Sequence, residues 1–349
     1  MQLASFSLVQ ITSIAMSVRI ILIEALYSIY VLLQILVYPL LVVFAIVEVL
    51  KRWFRRLGCS RMPSLCGEVA LITGSGRGLG RETAIALAKL GCHLAIVDIQ
   101  EHLANDTAQF IAENYEVNTR AYKVDVRDYQ QLLDLRERVT NDLGDVTILV
   151  NNAAIITMSS IDDPPVHEIQ RMININFTAP VLTTKVFLPK MRELNRGYVV
   201  NISSLASMYP HHTFNVYGAS KAAVRHLTSA LRTELLEAKS AVKAITICPS
   251  FLTTNRRVND VVKALKLNRI LADLDGEVVA QYIVEAILRG ETEITVPHCF
   301  IWLRRIVATL PAAATERLMA FIGGLVDPKC RENELAQALR TDDGVPFDS

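Results

Sequence analysis

The sequence contains no Cys-x-x-Cys pair and no grouping of Cys and His at metal-ligand spacing. Its six cysteines, Cys59, Cys66, Cys92, Cys248, Cys299 and Cys330, are scattered along the chain. They read as reduced, small apolar residues rather than as a disulfide framework, which favours a catalytic part facing the cytosol. A field of one sign is also missing. The formal net charge is +1, so nothing in the overall charge argues for a nucleic-acid partner. Apolar residues, in contrast, make up 51% of the chain, and the mean hydropathy is +0.31. Both values are high for a soluble protein and point to a membrane-associated part. The 349 residues suit one large domain with extensions, or two small domains.

The apolar excess is concentrated at the start of the chain, between Ile20 and Leu50. The window Ile29 to Val47 is long enough to cross hydrocarbon, with Gln34 its most polar member and Pro39 placed to kink a helix. Lys51, Arg52, Arg55, Arg56 and Arg61 follow, with Trp53 and Phe54 among them, while Arg19 alone precedes the run. The positive-inside bias therefore places the rest of the chain on the cytosolic side. A single span, a hairpin turning near Pro39 and a cleaved signal peptide compete. The run is too long for a signal peptide and no small-residue cleavage site is evident. Residues 1–66 are expected to form a membrane anchor with a basic linker.

From residue 67 to about 165 the pattern is that of a nucleotide-binding half. Val69 to Thr73 reads as a short strand, and Gly74-Ser75-Gly76-Arg77-Gly78-Leu79-Gly80 follows as a glycine turn opening a helix that stops near Gly91. Glycines let the backbone approach a pyrophosphate, and the helix N-terminus supplies amides and positive dipole. A second strand, His93 to Val97, ends at Asp98, 24 residues after Gly74, where a carboxylate can bind ribose hydroxyls. Asp98 favours NAD over NADP, while Arg77, just before Gly78, is placed to pair with a 2′-phosphate. A third strand, Ala121 to Val124, leads to Asp125, whose side chain can reach an adenine. A helix at Tyr129 to Leu143 and a strand at Val146 to Val150 lead to Asn151-Asn152-Ala153-Ala154. Such alternation predicts a parallel sheet with right-handed crossovers.

The second half carries the chemistry. Val166 to Leu194 reads as helix interrupted by Pro180 and Pro189, and it carries Asn174 and Asn176. A strand, Tyr198 to Ile202, ends in Ser203-Ser204. Thirteen residues after Ser204 comes Tyr217, in a helical pattern through Val224, Leu227, Leu231 and Leu235. Tyr217 and Lys221 then share one helix face, and an ammonium beside a phenol favours the phenolate. Any long helix can carry a partly buried tyrosine beside a lysine, so this pair gains meaning only from its context. A strand at Ala244 to Cys248, a helix at Val278 to Leu288 and a closing strand at Glu293 to Val296 complete the pattern.

Taken together, Thr73-Gly74-x-x-x-Gly78-x-Gly80, Asn151-Asn152-Ala153, Asn176, Ser204 and Tyr217-x-x-x-Lys221 resemble the short-chain dehydrogenase/reductase superfamily over about residues 67–300. The resemblance implies an α/β fold, a Rossmann-type doubly wound parallel sheet of about seven strands. It implies hydride transfer between a nicotinamide, NAD with NADP as the alternative, and an alcohol or carbonyl. Tyr217 would be the acid/base, Lys221 its tuner and the partner of the nicotinamide ribose. Ser204 would hydrogen-bond the substrate oxygen, and Asn176 would support a proton relay. Gly74, Ser75, Arg77, Gly78, Leu79, Gly80, Asp98, Asp125, Val126, Asn152, Ala153, Tyr217, Lys221, Pro249, Phe251 and Thr254 are the expected cofactor contacts. Two positions depart from the pattern: Ala154 and Ser250 stand where glycine is usual, and altered backbone detail with retained activity is expected.

Residues 255–276 are expected to form a lid, and Met208, Tyr209, His211, His212 and Phe214 to line the pocket. A metal on the two histidines is disfavoured, since adjacent residues rarely share one ion and no carboxylate or cysteine stands nearby. Residues 301–349 are expected to hold a helix, lying in a membrane plane or packed on the core or a dimer partner, and a polar tail. More loosely, the two ends resemble the membrane-bound retinol and 17-beta-hydroxysteroid dehydrogenases. That resemblance implies a lipophilic substrate, contact with membrane lipid, a homodimer and residence on the endoplasmic reticulum membrane or a lipid droplet. A carbonyl reductase using NADPH, or a scaffold of little activity, are the alternatives. The glycosylation-like triplets at Asn105, Asn176 and Asn201 are read as chance matches.

Overall fold

The computed structural model describes residues 16, 18–29, 43, 46–47, 63–157, 161–162, 164–212, 214–250, 252, 274–308 and 311–324. The chain divides into two compact units, Met1–Met62 and Pro63–Ser349.

In the first unit, residues 18–29 are helical and turn apolar side chains outward, Ile21, Ile23, Leu26 and Tyr27 among them. Among the described residues no helix is long and apolar enough to cross a membrane. Most of the window from Ile29 to Val47, on which the span and hairpin expectations rest, lies outside the described residues, as does most of the basic linker.

The second unit is built on seven parallel strands in the order β3-β2-β1-β4-β5-β6-β7. These are β1 (Val69–Thr73), β2 (His93–Asp98), β3 (Thr119–Lys123), β4 (Val146–Asn151), β5 (Tyr198–Ile202), β6 (Lys243–Pro249) and β7 (Glu293–Val296). The order reverses between β1 and β4, which opens a crevice at the carboxyl ends of the strands. Strands buried on both faces need apolar residues at every position, which is why β1, β4 and β6 are nearly unbroken apolar runs.

Helices cover both faces. On one face α1 (Gly78–Ala88), α2 (Glu101–Asn114) and α7 (Gly276–Arg289) pack Leu87, Ile111 and Ile283 against Ala70 and Ile72. On the other, α3 (Tyr129–Asp142), α5 (Ala179–Glu193) and α6 (Asn215–Glu237) pack Leu135, Phe187 and Leu231 against Val69 and Leu71. Alternate residues of β1 thus feed two separate cores.

The helix expected from Val166 to Leu194 is continuous but changes its hydrogen bonding at one place. α4 (Val166–Ile173) passes through a π-helical turn, Asn174–Thr178, into α5, with right-handed helical dihedrals at Asn174, Thr178 and Ala179. Pro180, which lacks an N–H, lies just after that turn, and Pro189 is accommodated inside α5. The third strand begins and ends earlier than expected, at Thr119–Lys123, so Asp125 lies one residue beyond Val124 in the following turn.

After β7 come α8 (Cys299–Val307) and α9 (Ala312–Gly324). α8 is docked on the domain: Val307 is buried, the Ile301 amide donates to Thr295 Oγ1 at 3.2 Å, and Arg304 lies 3.8 Å from Glu293. Residues 325–349, with the expected polar tail, lie outside the described residues.

Candidate active site

The nucleotide end of the crevice is shaped by the glycine turn after β1. Gly74 has φ +64°, and a side chain there would also meet the Ala153 backbone at 2.9 Å. Asn152 clamps the turn, donating from Nδ2 to the carbonyls of Thr73 (3.0 Å) and Gly74 (2.9 Å). Thr73 Oγ1 returns the contact by accepting from the amides of Asn152 and Ala153, both at 3.1 Å. Ser75 is buried, its hydroxyl donating to Ile72 O at 2.7 Å. α1 then starts at Gly78 without a side-chain cap. Its first amides are therefore available to an anion, Leu79 and Gly80 are buried behind them, and Arg77 is exposed beside them.

Asp98, at the end of β2, turns toward this loop. Its Oδ2 accepts from the Gly76 amide at 2.9 Å and its Oδ1 from the Gln100 amide at 3.0 Å. A Cβ at Gly76 would meet that carboxylate oxygen at 2.9 Å, so the turn and the carboxylate fit each other only with glycine there. On the next strand out, Asp125 accepts from Arg127, whose guanidinium holds its carboxyl below the usual range. Val126 beside it is buried. The uncapped helix start and two carboxylates on neighbouring strand ends fit a dinucleotide.

The catalytic expectations converge on the other half of the same edge. Ser204 follows β5 and caps the 3₁₀ turn Leu205–Ser207, its Oγ accepting from the Ala206 amide at 3.2 Å. The Ser204 side chain also lies near enough to the Tyr217 phenol to favour its phenolate. Tyr217 lies in the first turns of α6, and Lys221 one turn on is buried. Asn176 sits in the π-helical turn. It accepts from the Ile155 amide and donates to the Ile155 carbonyl, both at 2.8 Å, and it reaches Ser220 Oγ at 3.1 Å. Ser220 in turn donates to the Tyr217 carbonyl at 2.7 Å. The loop after β4, the π turn and α6 are thereby tied together around the tyrosine.

One electrostatic expectation is corrected. Lys221 was expected to lower the tyrosine's pKa, but its ammonium donates to the Ile202 carbonyl at 2.9 Å and lies 5.9 Å from the centre of the Tyr217 ring. Burial dominates: it pushes the Tyr217 phenol up to about 12, against the lowering effect of Ser204. Burial also brings Lys221 down to about 8. The ligand-free site therefore holds a neutral phenol at neutral pH.

Sequence reasoning missed a polar ladder beneath the site. Asn151 and Asn201 are register partners on β4 and β5, joined at 2.7 Å. Thr183 of α5 donates to Asn151 at 2.6 Å, and Asn201 donates to Thr228 of α6 at 2.9 Å. Matching asparagines in otherwise apolar strands were the available signal. Asn176 and Asn201 are buried, which leaves no room for a glycan on either. The two glycine departures cost little, since neither Ala154 nor Ser250 has a positive φ.

On the substrate side, His211 and His212 stack with ring centres 4.4 Å apart, and Phe214 lies between His211 and Tyr217 at 5.7 and 6.4 Å. Tyr209 donates to the Phe300 carbonyl of α8 at 2.7 Å and meets its ring edge-on. Pro249 ends β6 and is buried. Phe251, Thr254 and nearly all of the expected lid lie outside the described residues; Leu252, just before it, and Leu274, near its end, are bridged.

Residues 68–263 match the short chain dehydrogenase family. The chain is 34% identical to the bovine short-chain dehydrogenase/reductase family 16C member 6, over 70% of this chain and 77% of the relative. It is 30% identical to mouse epidermal retinol dehydrogenase 2, over 74% and 84% of the two chains. Identity to mouse estradiol 17-beta-dehydrogenase 11 is also 30%, over 81% and 91%. Among solved structures, the fold is like that of a Burkholderia phymatum short chain dehydrogenase/reductase in complex with NAD. The TM-score is 0.64 and the identity 24%, over 70% of this chain and 94% of that one.

Proposed function

The chain belongs to the short chain dehydrogenase family, NAD(P)-dependent oxidoreductases that act on CH–OH groups, and we propose that it interconverts a lipophilic alcohol of the retinoid or steroid class and its carbonyl, using NAD. The observation that carries this reading is the meeting of the Ser204 hydroxyl, the Tyr217 phenol and the Lys221 ammonium at the carboxyl edge of the sheet, braced by Asn176. The retinol and estradiol in the names of two relatives support the substrate class. The aromatic lining from Tyr209 to Phe214 suits an apolar body.

Bound NAD would supply the hydride acceptor for the carbinol carbon, and its positive charge would favour the phenolate. The protein's part is proton handling and orientation. The Ser204 hydroxyl donates to the substrate oxygen and holds it against Tyr217. The Tyr217 phenolate takes the alcohol proton during oxidation, and the phenol returns it during reduction. Lys221, one helical turn from Tyr217, would hold the cofactor's ribose and stabilise the phenolate by charge. Asn176 keeps the loop after β4 and the start of α6 in fixed relation. The glycine turn receives the pyrophosphate, Asp98 the adenine-side ribose and Asp125 the adenine. Asp98, turned toward the glycine turn, supports NAD over NADP.

The exposed apolar helix at residues 18–29 and the basic cluster Lys51 to Arg61 support an N-terminal membrane anchor, with the catalytic domain on the cytosolic side. The test is hydride transfer by membranes carrying the protein, offered NAD or NADP with a panel of retinoids and steroids. Tyr217→Phe is expected to lower turnover by about 10²–10⁴-fold with NADH binding retained. Full activity in that variant would overturn the mechanism.

A further inference from the structure

Asp125 stands in the turn between β3 and α3, its side chain 24% exposed. Its carboxylate is held by a single residue. The Arg127 backbone amide donates to Oδ1 at 2.9 Å, Nε is shared between Oδ1 (2.9 Å) and Oδ2 (3.0 Å), and Nη2 donates to Oδ2 at 2.6 Å. A carboxylate offers four lone-pair directions, two on each oxygen. Three N–H groups occupy it here, the Arg127 amide on Oδ1, Nη2 on Oδ2 and Nε across both oxygens, which leaves the carboxylate with capacity for one further donor.

The turn itself is fixed. Gln131 Oε1 accepts from the Asp125 amide at 3.0 Å, and the Asp128 amide donates to the Asp125 carbonyl at 3.0 Å. Asp128 caps α3 through the amides of Gln130 and Gln131, and Gln131 Nε2 donates back to Asp128 at 3.0 Å. With its backbone held and its carboxylate forked, Asp125 is kept in one orientation with room for one more donor. Arg127 is 41% exposed, and an ion pair that open contributes little to stability. Its distinctive effect is orientation.

We propose that Arg127 is a positioning residue for adenine recognition, clamping Asp125 so that the remaining acceptor capacity of its carboxylate meets the exocyclic amine of the cofactor's adenine. This rests on the reading above that Asp125 faces the adenine. Hypoxanthine carries a carbonyl in place of that amine, so the same acceptor repels it.

The experiment is equilibrium binding of NADH and of reduced nicotinamide hypoxanthine dinucleotide to the full-length protein in detergent, followed by nicotinamide fluorescence. The wild type is expected to prefer NADH by about tenfold or more, the effect of one hydrogen bond to a charged group. Arg127→Ala is expected to reduce that preference to about threefold or less. Arg127→Lys, which keeps the charge without the planar fork, is expected to reduce it too and guards against a folding defect in the alanine variant. Loss of affinity for both dinucleotides by the same factor, with the preference intact, would overturn the role of Arg127. If Asp125→Ala abolishes the preference while both Arg127 variants keep it, only the positioning role falls. If Asp125→Ala leaves the wild-type preference unchanged, the placement of the adenine against Asp125 falls with it.

Discussion

Replacing Asp98 by Asn tests how the site chooses between NAD and NADP. In the wild type a full negative charge sits where the adenine-side ribose is proposed to bind, tied to the Gly76 amide at 2.9 Å and the Gln100 amide at 3.0 Å. Two unit charges 4 Å apart repel by about 4 kcal/mol at an effective dielectric constant of 20. A 2′-phosphate with at least one charge would therefore be disfavoured by roughly a thousandfold relative to a hydroxyl. Asparagine removes the charge and leaves the exposed Arg77 as the nearest ionic group on the turn, so the NADH-to-NADPH affinity ratio is expected to fall by about 10²–10³. The change has a second effect. An amide group has one acceptor oxygen, so either Gly76 or Gln100 loses its partner, at a cost of about 1–3 kcal/mol in stability. Fluorescence titration with both dinucleotides gives the ratio, and thermal melting gives the cost. If the two affinities fall together and the ratio stays within about threefold of wild type, charge at Asp98 does not set the preference.

The Lys221→Met variant addresses the buried ammonium. Burial holds Lys221 near 8 when folded, below its ordinary value of 10.5, so the unfolded chain binds more protons between those values. The lysine's contribution therefore improves as pH rises through that window. The melting temperature of Lys221→Met relative to wild type is expected to decline from pH 8 to pH 10, and a flat difference would contradict the assignment. Asn201→Ala removes the centre of the ladder that joins Asn151 and Thr228. Asn151 keeps Thr183 and Thr184, and Thr228 keeps the Val224 carbonyl, so the loss of two buried hydrogen bonds is expected to cost about 1–3 kcal/mol, read by denaturant unfolding, and a loss under about 0.5 kcal/mol would show that the ladder contributes little.

The parts of the fold legible in the sequence are those where local and tertiary preferences agree. β1, the glycine turn and α1 were readable because a strand buried on both faces must be apolar throughout and the turn between must be glycine-rich. Tyr217 and Lys221 were readable as neighbours because α6 is long and regular. The interruption expected near Pro180 takes the form of a π turn just before it, which brings Asn176 inward; the sequence marks the proline but not the kind of turn. The direction of the Tyr217 shift was misjudged because spacing along a helix says which residues share a face but not how deeply that face is buried, nor that Ile202 would claim the lysine. The clamp on Asp125 was likewise invisible, since the pairing of Arg127 depends on side-chain rotamers.

The sheet divides the molecule into two cores that share no helix. The helix that begins at the glycine turn belongs to one, with Leu87 against Ile72, and the helix carrying Tyr217 belongs to the other, with Leu231 against Leu71. Volume changes in one are separated from the other by a layer of hydrogen-bonded backbone, so their energetic effects should add. In evolutionary terms, the helix that opens at the glycine turn and the helix that carries the tyrosine rest in separate compartments with a common wall. The packing behind either helix can be rewritten while the packing behind the other is left as it stands.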